Sequence, residues 1–203
     1  MKTQNPCQDT TAPSPIGREA ILFAVLFVVC SFVPAAQPVA AASGKEFLTL
    51  EEALKLAFGD AKVERGTIYL DEGQVKRIEE RAGSAPYVHT VHPYSAFRDG
   101  RRIGTAYLDT HVVRTMKETV MVVVDDKDCV QRVELLAFGE PKNYVPKSAW
   151  YGQFTGRKLD AELSLKRSIR GVTGATLTTT ATTAAVRRVL ALHEVLNKRP
   201  DSR

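Results

Sequence analysis

The sequence predicts an α+β domain built on a twisted antiparallel sheet with flanking helices. Two Val-rich segments, 119–124 and 130–138, have the composition of neighbouring strands, and the polar residues 125–128 between them are typical of a hairpin loop. A long helix is predicted near the C-terminus, because apolar side chains recur at helical spacing after Thr176. No internal repeat or inner linker separates these elements, so we expect a single domain after the N-terminal segment.

Composition excludes several classes of protein. The chain has 203 residues, with 28 Lys and Arg against 23 Asp and Glu, and a formal net charge of +5. Apolar residues make up 44% and charged residues 25%, which is typical of a globular protein and excludes a mostly disordered chain. Only one long apolar run is present, which excludes a polytopic membrane protein. The mild, dispersed basic excess indicates no nucleic-acid partner.

Residues 1–42 have the layout of an export signal. An apolar run over 20–33 follows Arg18, and the small residues 40–42 then offer a cleavage site. The run is short for a membrane span, which needs about 20 apolar residues, but an uncleaved N-terminal membrane anchor is the alternative. Both interpretations place the rest of the chain outside the cytoplasm, in the periplasm or an equivalent compartment, either soluble or membrane-associated.

Helices are expected where capping residues precede apolar positions at helical spacing. Thr49 and Glu52 have the spacing of a capping box, and Asp71 is suited to begin a second helix. Glycines follow the first two helices as stop signals. The expected helices cover 49–58, 72–82 and 176–198. The expected extended segments cover 63–70, 86–92, 101–109, 119–124 and 130–138, and an irregular connection covers 141–156.

The segment 170–180 carries the clearest chemical signal. Gly171 and Gly174 allow tight backbone turns, and Thr173 is placed to cap the helix that follows. The first turn of a helix presents unpaired amides and the positive end of the helix dipole, so it binds anions without a charged side chain. The segment therefore predicts a phosphate site, although a Thr-capped helix start without a ligand has the same local pattern.

The run Thr173-Gly174-Ala175-Thr176-Leu177-Thr178 resembles the flavin-attachment motif of the FMN-binding domain family. This family includes the flavin subunits of the Rnf electron-transport complex and of the sodium-translocating NADH:quinone oxidoreductase, as well as small exported FMN-binding proteins. The resemblance spans about residues 85–198, through segments that follow one another in the family's order. These segments are Lys117-Glu118, 119–124, 130–138, Glu140-Pro141, Trp150, Gln153 to Gly156, and Arg157-Lys158.

The resemblance implies FMN as the cofactor and a phosphate site at the start of the C-terminal helix. It also implies that a flavin transferase uses FAD to join FMN, through its phosphate, to Thr176. The bond is a phosphoester that leaves the isoalloxazine ring unmodified. The cofactor-binding residues implied by the motif are Thr173, Gly174, Ala175, Thr176, Leu177 and Thr178.

The resemblance also suggests how the chain is divided. Residues 1–42 are the signal peptide or membrane anchor, and 43–84 form an N-terminal extension of helices and a strand. The FMN-binding domain covers 85–198, and a short tail covers 199–203.

One position departs from the family pattern. Members usually carry an Asp three residues before the Ser or Thr that opens the motif, and Arg170 reverses that charge. Two modes of FMN binding are therefore open: covalent attachment at Thr176, and noncovalent binding with Arg170 beside the phosphate dianion.

Several residues between 141 and 158 are candidates for contacts with the flavin ring. Trp150 and Phe154 have flat faces that can stack on the ring. Gln153 can donate a hydrogen bond to a ring carbonyl, and Lys158 would favour a reduced, anionic ring. The same residues equally suit the core under a long loop and its solvated surface.

The predicted function is that of an exported electron carrier which exchanges electrons with a membrane reductase or cytochrome. An electron-carrier flavoprotein fits the sequence better than an enzyme with its own substrate. The alternative is a flavin-free interaction module of a membrane complex, which Arg170 favours. No metal site is expected, because His111 and His193 complete no cluster with the other histidines. Glu118 begins a strand, and we expect an exposed charge at the strand edge, with a polar contact near the flavin as the alternative.

Overall fold

A computed structural model describes residues 47–197 of the chain. The predicted signal or anchor over 1–42 and the predicted tail over 199–203 lie outside the described residues. The helices are α1 (Leu50–Phe58), α2 (Glu72–Ala82), α3 (Ser148–Tyr151) and α4 (Thr176–Asn197). The strands are β1 (Lys62–Arg65), β2 (Ile68–Tyr69), β3 (Thr90–Val91), β4 (Tyr94–Arg98), β5 (Arg101–Val112), β6 (Lys117–Asp125) and β7 (Val130–Phe138).

The main sheet has five antiparallel strands in the order β1-β4-β5-β6-β7, and β2 pairs with β3 in a separate ribbon. The long strands β5 and β6 pair along their whole length, from Gly104 opposite Asp125 to Val112 opposite Lys117. This antiparallel sheet with flanking helices and a long C-terminal helix confirms the predicted fold class.

Strand β6 is the centre of the core, because its side chains are buried on both faces of the sheet. Val120, Val122 and Val124 pack in one apolar cluster with residues of α2 and α4. Met121 and Val123 point to the other face and pack with residues of α1. Successive side chains of a strand alternate between faces, so a continuous Val-rich run is what a strand between two helical layers requires. Helix α4 is thereby held against the sheet along its apolar side.

A capping box begins α1 and Asp71 caps α2, as the sequence predicts. Thr49 accepts from the amide of Glu52 at 3.3 Å, and the Glu52 carboxylate accepts from the amide of Thr49 at 2.8 Å. Asp71 and Gln74 make the same reciprocal pair before α2. Both helices pack on the main fold: α2 lies against α4, and α1 contacts β7.

Three expectations about local structure were wrong in detail. The extended segment 63–70 is two strands, because β1 pairs with β4 while β2 pairs with β3. The strand β4 was not predicted at all. Within 141–156 the chain forms α3 and two single 3-10 turns rather than an irregular connection. Each helix within 47–197 is too short or too polar to cross a lipid bilayer.

Candidate functional site

The start of α4 leaves backbone donors unpaired. The carbonyl of Ala175 accepts from the amide of Thr179 at 2.9 Å, so Ala175 occupies the N-cap position. Alanine has no side-chain oxygen, and among the described residues no acceptor pairs with the amides of 176–178. Thr173 lies before this position, so the predicted cap by Thr173 was wrong. The uncapped turn is a ready anion site.

Gly174 gives the chain the turn that precedes the helix. Its φ of +84° lies in the left-handed region, where a side chain would strain the backbone. The amide of the next residue, Ala175, closes the turn by donating to the Val172 carbonyl at 3.0 Å. The positive φ at this position therefore explains why the motif has a glycine there.

A small pocket of about 170 Å³ opens at this helix start. Its lining residues are Arg114, Tyr144, Gly174, Ala175, Thr176, Leu177 and Thr178. Arg114 comes from the turn between β5 and β6, and its guanidinium lies over the Tyr144 ring at 4.9 Å from the centroid. It is the one cationic side chain that the described residues contribute to the lining. Sequence reasoning missed Arg114, which lies far from the motif along the chain.

Two threonine hydroxyls of the lining differ in their surroundings. Thr178 is only 1% exposed, and its Oγ1 is buried without a hydrogen-bond partner among the described residues. Thr176 is exposed at the first position of the helix. A buried hydroxyl without a partner is costly, and an anion in the pocket would supply the acceptor. Uncapped amides, an orphan hydroxyl and one guanidinium together fit a phosphate monoester.

Glu140 holds the turn that carries Arg114. Its Oε1 accepts from the amides of Thr115 at 2.7 Å and Met116 at 2.9 Å, and from the Thr115 hydroxyl at 3.1 Å. These backbone hydrogen bonds lower the pKa of Glu140 below its ordinary value. The carboxylate therefore remains ionised at neutral pH and fixes the turn beside the pocket.

The main chain of Arg170 is fixed by the segment around α3. The Trp150 indole Nε1 donates to the Arg170 carbonyl at 2.6 Å, and Gln153 contacts both the amide and the carbonyl of Arg170. The Arg170 side chain is exposed. Trp150 and Gln153 thus contact the backbone that leads into the motif, and neither they nor Arg170 line the pocket.

The remaining ring-contact candidates lie outside the pocket as well. Phe154 is fully buried, and its ring packs edge-on against Trp150 with 5.3 Å between centroids. Lys158 is exposed. The structure therefore brings the residues of 174–178 together with Arg114 and Tyr144, and it places Phe154 and Lys158 elsewhere.

A larger groove of about 720 Å³ follows the edge strand β7. Consecutive residues of β7 line it, from Gln131 to Leu135, together with Tyr151 of α3. Burial, with the negative charge of Glu118 adding to it, raises the pKa of the Tyr151 phenol, so this group is neutral. Val145 and Pro146 also line the groove, whereas their neighbour Tyr144 lines the pocket.

Four charged side chains form a separate cluster, the buried charge network: His111, Glu118 and Arg188 are buried, and Asp109 is half-buried. Glu118 is fully buried, so the expectation of an exposed strand-edge charge was wrong. It meets His111 at 2.8 Å, and His111 meets Asp109 at 2.9 Å. Arg188 of α4 donates two hydrogen bonds to the Asp109 carboxylate, at 2.8 and 3.0 Å. Within residues 47–197 the His, Cys, Asp and Glu side chains form no group of three suited to a metal ion.

Comparison with known families gives one match. Residues 116–191 match the family model described as the FMN-binding domain. The matched range begins in the turn beside Arg114 and ends within α4, so it contains the motif and the strands that position it. The comparison with curated proteins finds no match.

Proposed function

Since residues 116–191 match the model of the FMN-binding domain, which supports FMN as the cofactor, we propose that this chain is an exported electron carrier. In this proposal the start of α4 holds FMN by its phosphate, and Thr176 is the site of covalent attachment. When bound, FMN supplies a ring that accepts and returns one or two electrons.

The observation that carries the proposal is the set of unpaired donors in the pocket at the start of α4. The amides of 176–178 and the Thr178 hydroxyl await an acceptor, and Arg114 adds a full positive charge. Charge-assisted hydrogen bonds to a phosphate are stronger than those between neutral groups. Thr176 is exposed beside these donors, which supports it as the hydroxyl accessible to a transferase.

The predicted export of the chain is a reason to expect covalent attachment of FMN. The apolar run over 20–33 is the sequence basis for placing the mature chain outside the cytoplasm. A cofactor held only noncovalently there is lost by dilution each time it dissociates, and a phosphoester removes that loss. The partners we propose are a membrane reductase or cytochrome for electrons, and a flavin transferase for maturation.

The experiment is expression of the full chain in an exporting host, with and without a co-expressed flavin transferase. Purified protein is run on a denaturing gel and viewed under ultraviolet light before staining. We expect a fluorescent band with the transferase, its loss in Thr176→Ala, and its retention in Thr180→Ala. Thr180 is a matched control, because it is an exposed threonine of the same helix that does not line the pocket.

Electron transfer is tested in a separate experiment. Loaded protein is mixed anaerobically with respiring membranes of the host, and the loss of yellow flavin absorbance is followed over time. A loaded protein that the membranes neither reduce nor oxidise would argue against a carrier. Colourless protein from every preparation would overturn flavin binding itself.

A second function is favoured by one specific observation, the open groove along β7. An exposed strand edge accepts an extended segment of a partner, and Arg170 departs from the usual attachment sequence. A flavin-free interaction module would use that edge. Full activity of Thr176→Ala in the cell would support this alternative.

A further inference from the structure

The buried charge network is connected to the phosphate pocket through one threonine. The Thr182 hydroxyl is fully buried and donates to the Thr178 carbonyl at 2.9 Å, one turn earlier in α4. The same hydroxyl lies 3.2 Å from each carboxylate oxygen of Glu118. Glu118 is thus separated from a pocket-lining residue by a single side chain.

His111 is placed between two carboxylates. Its Nε2 lies 2.8 Å from Glu118 Oε2, and its Nδ1 lies 2.9 Å from Asp109 Oδ1. A carboxylate only accepts hydrogen bonds, so both ring nitrogens must donate, and only the imidazolium has two N–H groups. The geometry therefore calls for a positively charged His111.

The charged groups around His111 determine the net charge of the buried charge network. Asp109 comes from β5, Glu118 from β6 and Arg188 from α4. From α3, Tyr151 faces Glu118 with a neutral phenol. On β7, the nearest acid to Tyr151 is Glu134, which pairs with Arg132 at 2.7 Å. With His111 protonated the network sums to zero, and with His111 neutral it carries one buried negative charge.

We infer that the protonation state of His111 controls how tightly the start of α4 holds the flavin phosphate. The inference rests on the function proposed above. A neutral network leaves the donors of the pocket free to attract the dianion. Loss of the His111 proton leaves Glu118 and Asp109 with only Arg188 to balance them, and the surplus negative charge repels the phosphate. Burial makes this repulsion harder for salt to screen.

The direction of the pH dependence follows from the same contacts. Burial opposes charge on His111, but the hydrogen bonds from its ring to Asp109 and Glu118 outweigh it and raise the pKa above the ordinary value. While the phosphate is a dianion, FMN affinity therefore falls as pH rises through that raised pKa. By linkage, bound phosphate raises the pKa of His111 further.

The test is FMN binding to the full chain produced without a transferase, followed by flavin fluorescence from pH 7 upward. Above pH 7 the phosphate monoester, whose second pKa is about 6, is already mostly a dianion. Wild-type affinity should fall about tenfold across the titration, the order expected for one net charge acting through the protein interior. Riboflavin lacks the phosphate and serves as the control ligand, with no such fall expected.

Two variants distinguish an effect of net charge on FMN affinity from an effect of altered packing. His111→Gln leaves both carboxylates in place, so its affinity should be about tenfold weaker already at pH 7 and independent of pH. The double variant His111→Gln with Glu118→Gln leaves Asp109 paired with Arg188 and restores a net charge of zero. Its affinity should return to that of wild type at pH 7. A purely structural role predicts the opposite, since the double variant removes more of the network.

A second measurement does not depend on how FMN is held. Nuclear magnetic resonance titration of the His111 ring, in loaded and unloaded protein, should show a higher pKa in the loaded form. An unchanged His111 titration overturns the inference even where FMN is attached covalently. A pH-independent wild-type affinity, or a double variant weaker than His111→Gln, also overturns it. Protein that takes up no flavin by either route overturns the proposed function instead, and the inference with it.

Discussion

Gln153 pairs with the backbone of Arg170 in both directions. Its Oε1 accepts from the Arg170 amide at 2.9 Å, and its Nε2 donates to the Arg170 carbonyl at 3.4 Å. The chain that enters the motif is thus fixed through main-chain atoms, whereas the Arg170 side chain contributes nothing to these bonds and is exposed. The side chain is therefore free to change without moving the motif.

Arg170→Asp should raise the yield of covalent FMN when a transferase is co-expressed. The substitution restores the charge that family members usually carry at this position and leaves the backbone contacts with Gln153 intact. Arg170→Ser is the matched variant that removes the positive charge without adding a negative one. The fluorescent band per mass of protein is the measurement, and equal yields for all three proteins would contradict the prediction.

Trp150→Phe should destabilise the protein by about 0.5–1.5 kcal/mol, because the Arg170 carbonyl loses its short indole hydrogen bond and keeps only the longer one from Gln153. Urea unfolding followed by circular dichroism measures the change. Tyr151→Phe is the control, since the Tyr151 hydroxyl is buried without a hydrogen-bond partner among the described residues. Its removal should leave the free energy of unfolding unchanged or slightly higher. A larger loss in Tyr151→Phe than in Trp150→Phe would refute this account.

Arg114→Gln should weaken FMN binding roughly tenfold to a hundredfold, the size of a lost charge-assisted hydrogen bond. Affinity for riboflavin should stay the same, because the guanidinium acts on the phosphate. Arg77→Gln on α2 is a control for the overall loss of one positive charge, as Arg77 does not line the pocket. Equal losses in the two variants would mean that Arg114 acts only through net charge.

Glu140→Gln should also weaken FMN binding, but less than Arg114→Gln does. Glu140 acts by holding the turn at Thr115 and Met116, and an amide can keep part of those contacts. In a double variant the two effects should not add, because Glu140 works through Arg114. Titration calorimetry with FMN gives the three affinities. Fully additive losses would show that Glu140 does not position Arg114.

The parts of the fold that could be predicted depend on neighbours in sequence. The capping boxes at Thr49 and Asp71 lie within one helical turn, so their spacing alone predicts where α1 and α2 begin. Strand β4 could not be predicted in this way. Its residues 94–98 form a strand because β1 and β5 pair with them on either side, which is a long-range condition.

Some residues of the candidate site could likewise be predicted from the local sequence, and others only from the fold. The motif over 173–178 is local, and the start of α4 at Thr176 confirms the predicted helix boundary. The roles of Arg114 and Glu118 could be recognised only from the three-dimensional structure. The pairing of β5 with β6 brings the end of β5 and the start of β6 toward α4. A charge at the start of a strand is usually exposed. Glu118 is buried because His111 and Thr182 supply its hydrogen bonds.

The shallow pocket at the start of α4 has a consequence for oxygen chemistry. Its volume is about 170 Å³, whereas clefts that enclose a whole drug-sized ligand usually exceed about 300 Å³. In the proposed mode of binding, such a pocket would accommodate the phosphate of FMN and the carbons next to it, and the tricyclic ring would lie outside. Dioxygen would reach that ring as easily as a protein partner does. The lifetime of the reduced protein would therefore be set by the oxygen tension around it, not by any barrier within the fold.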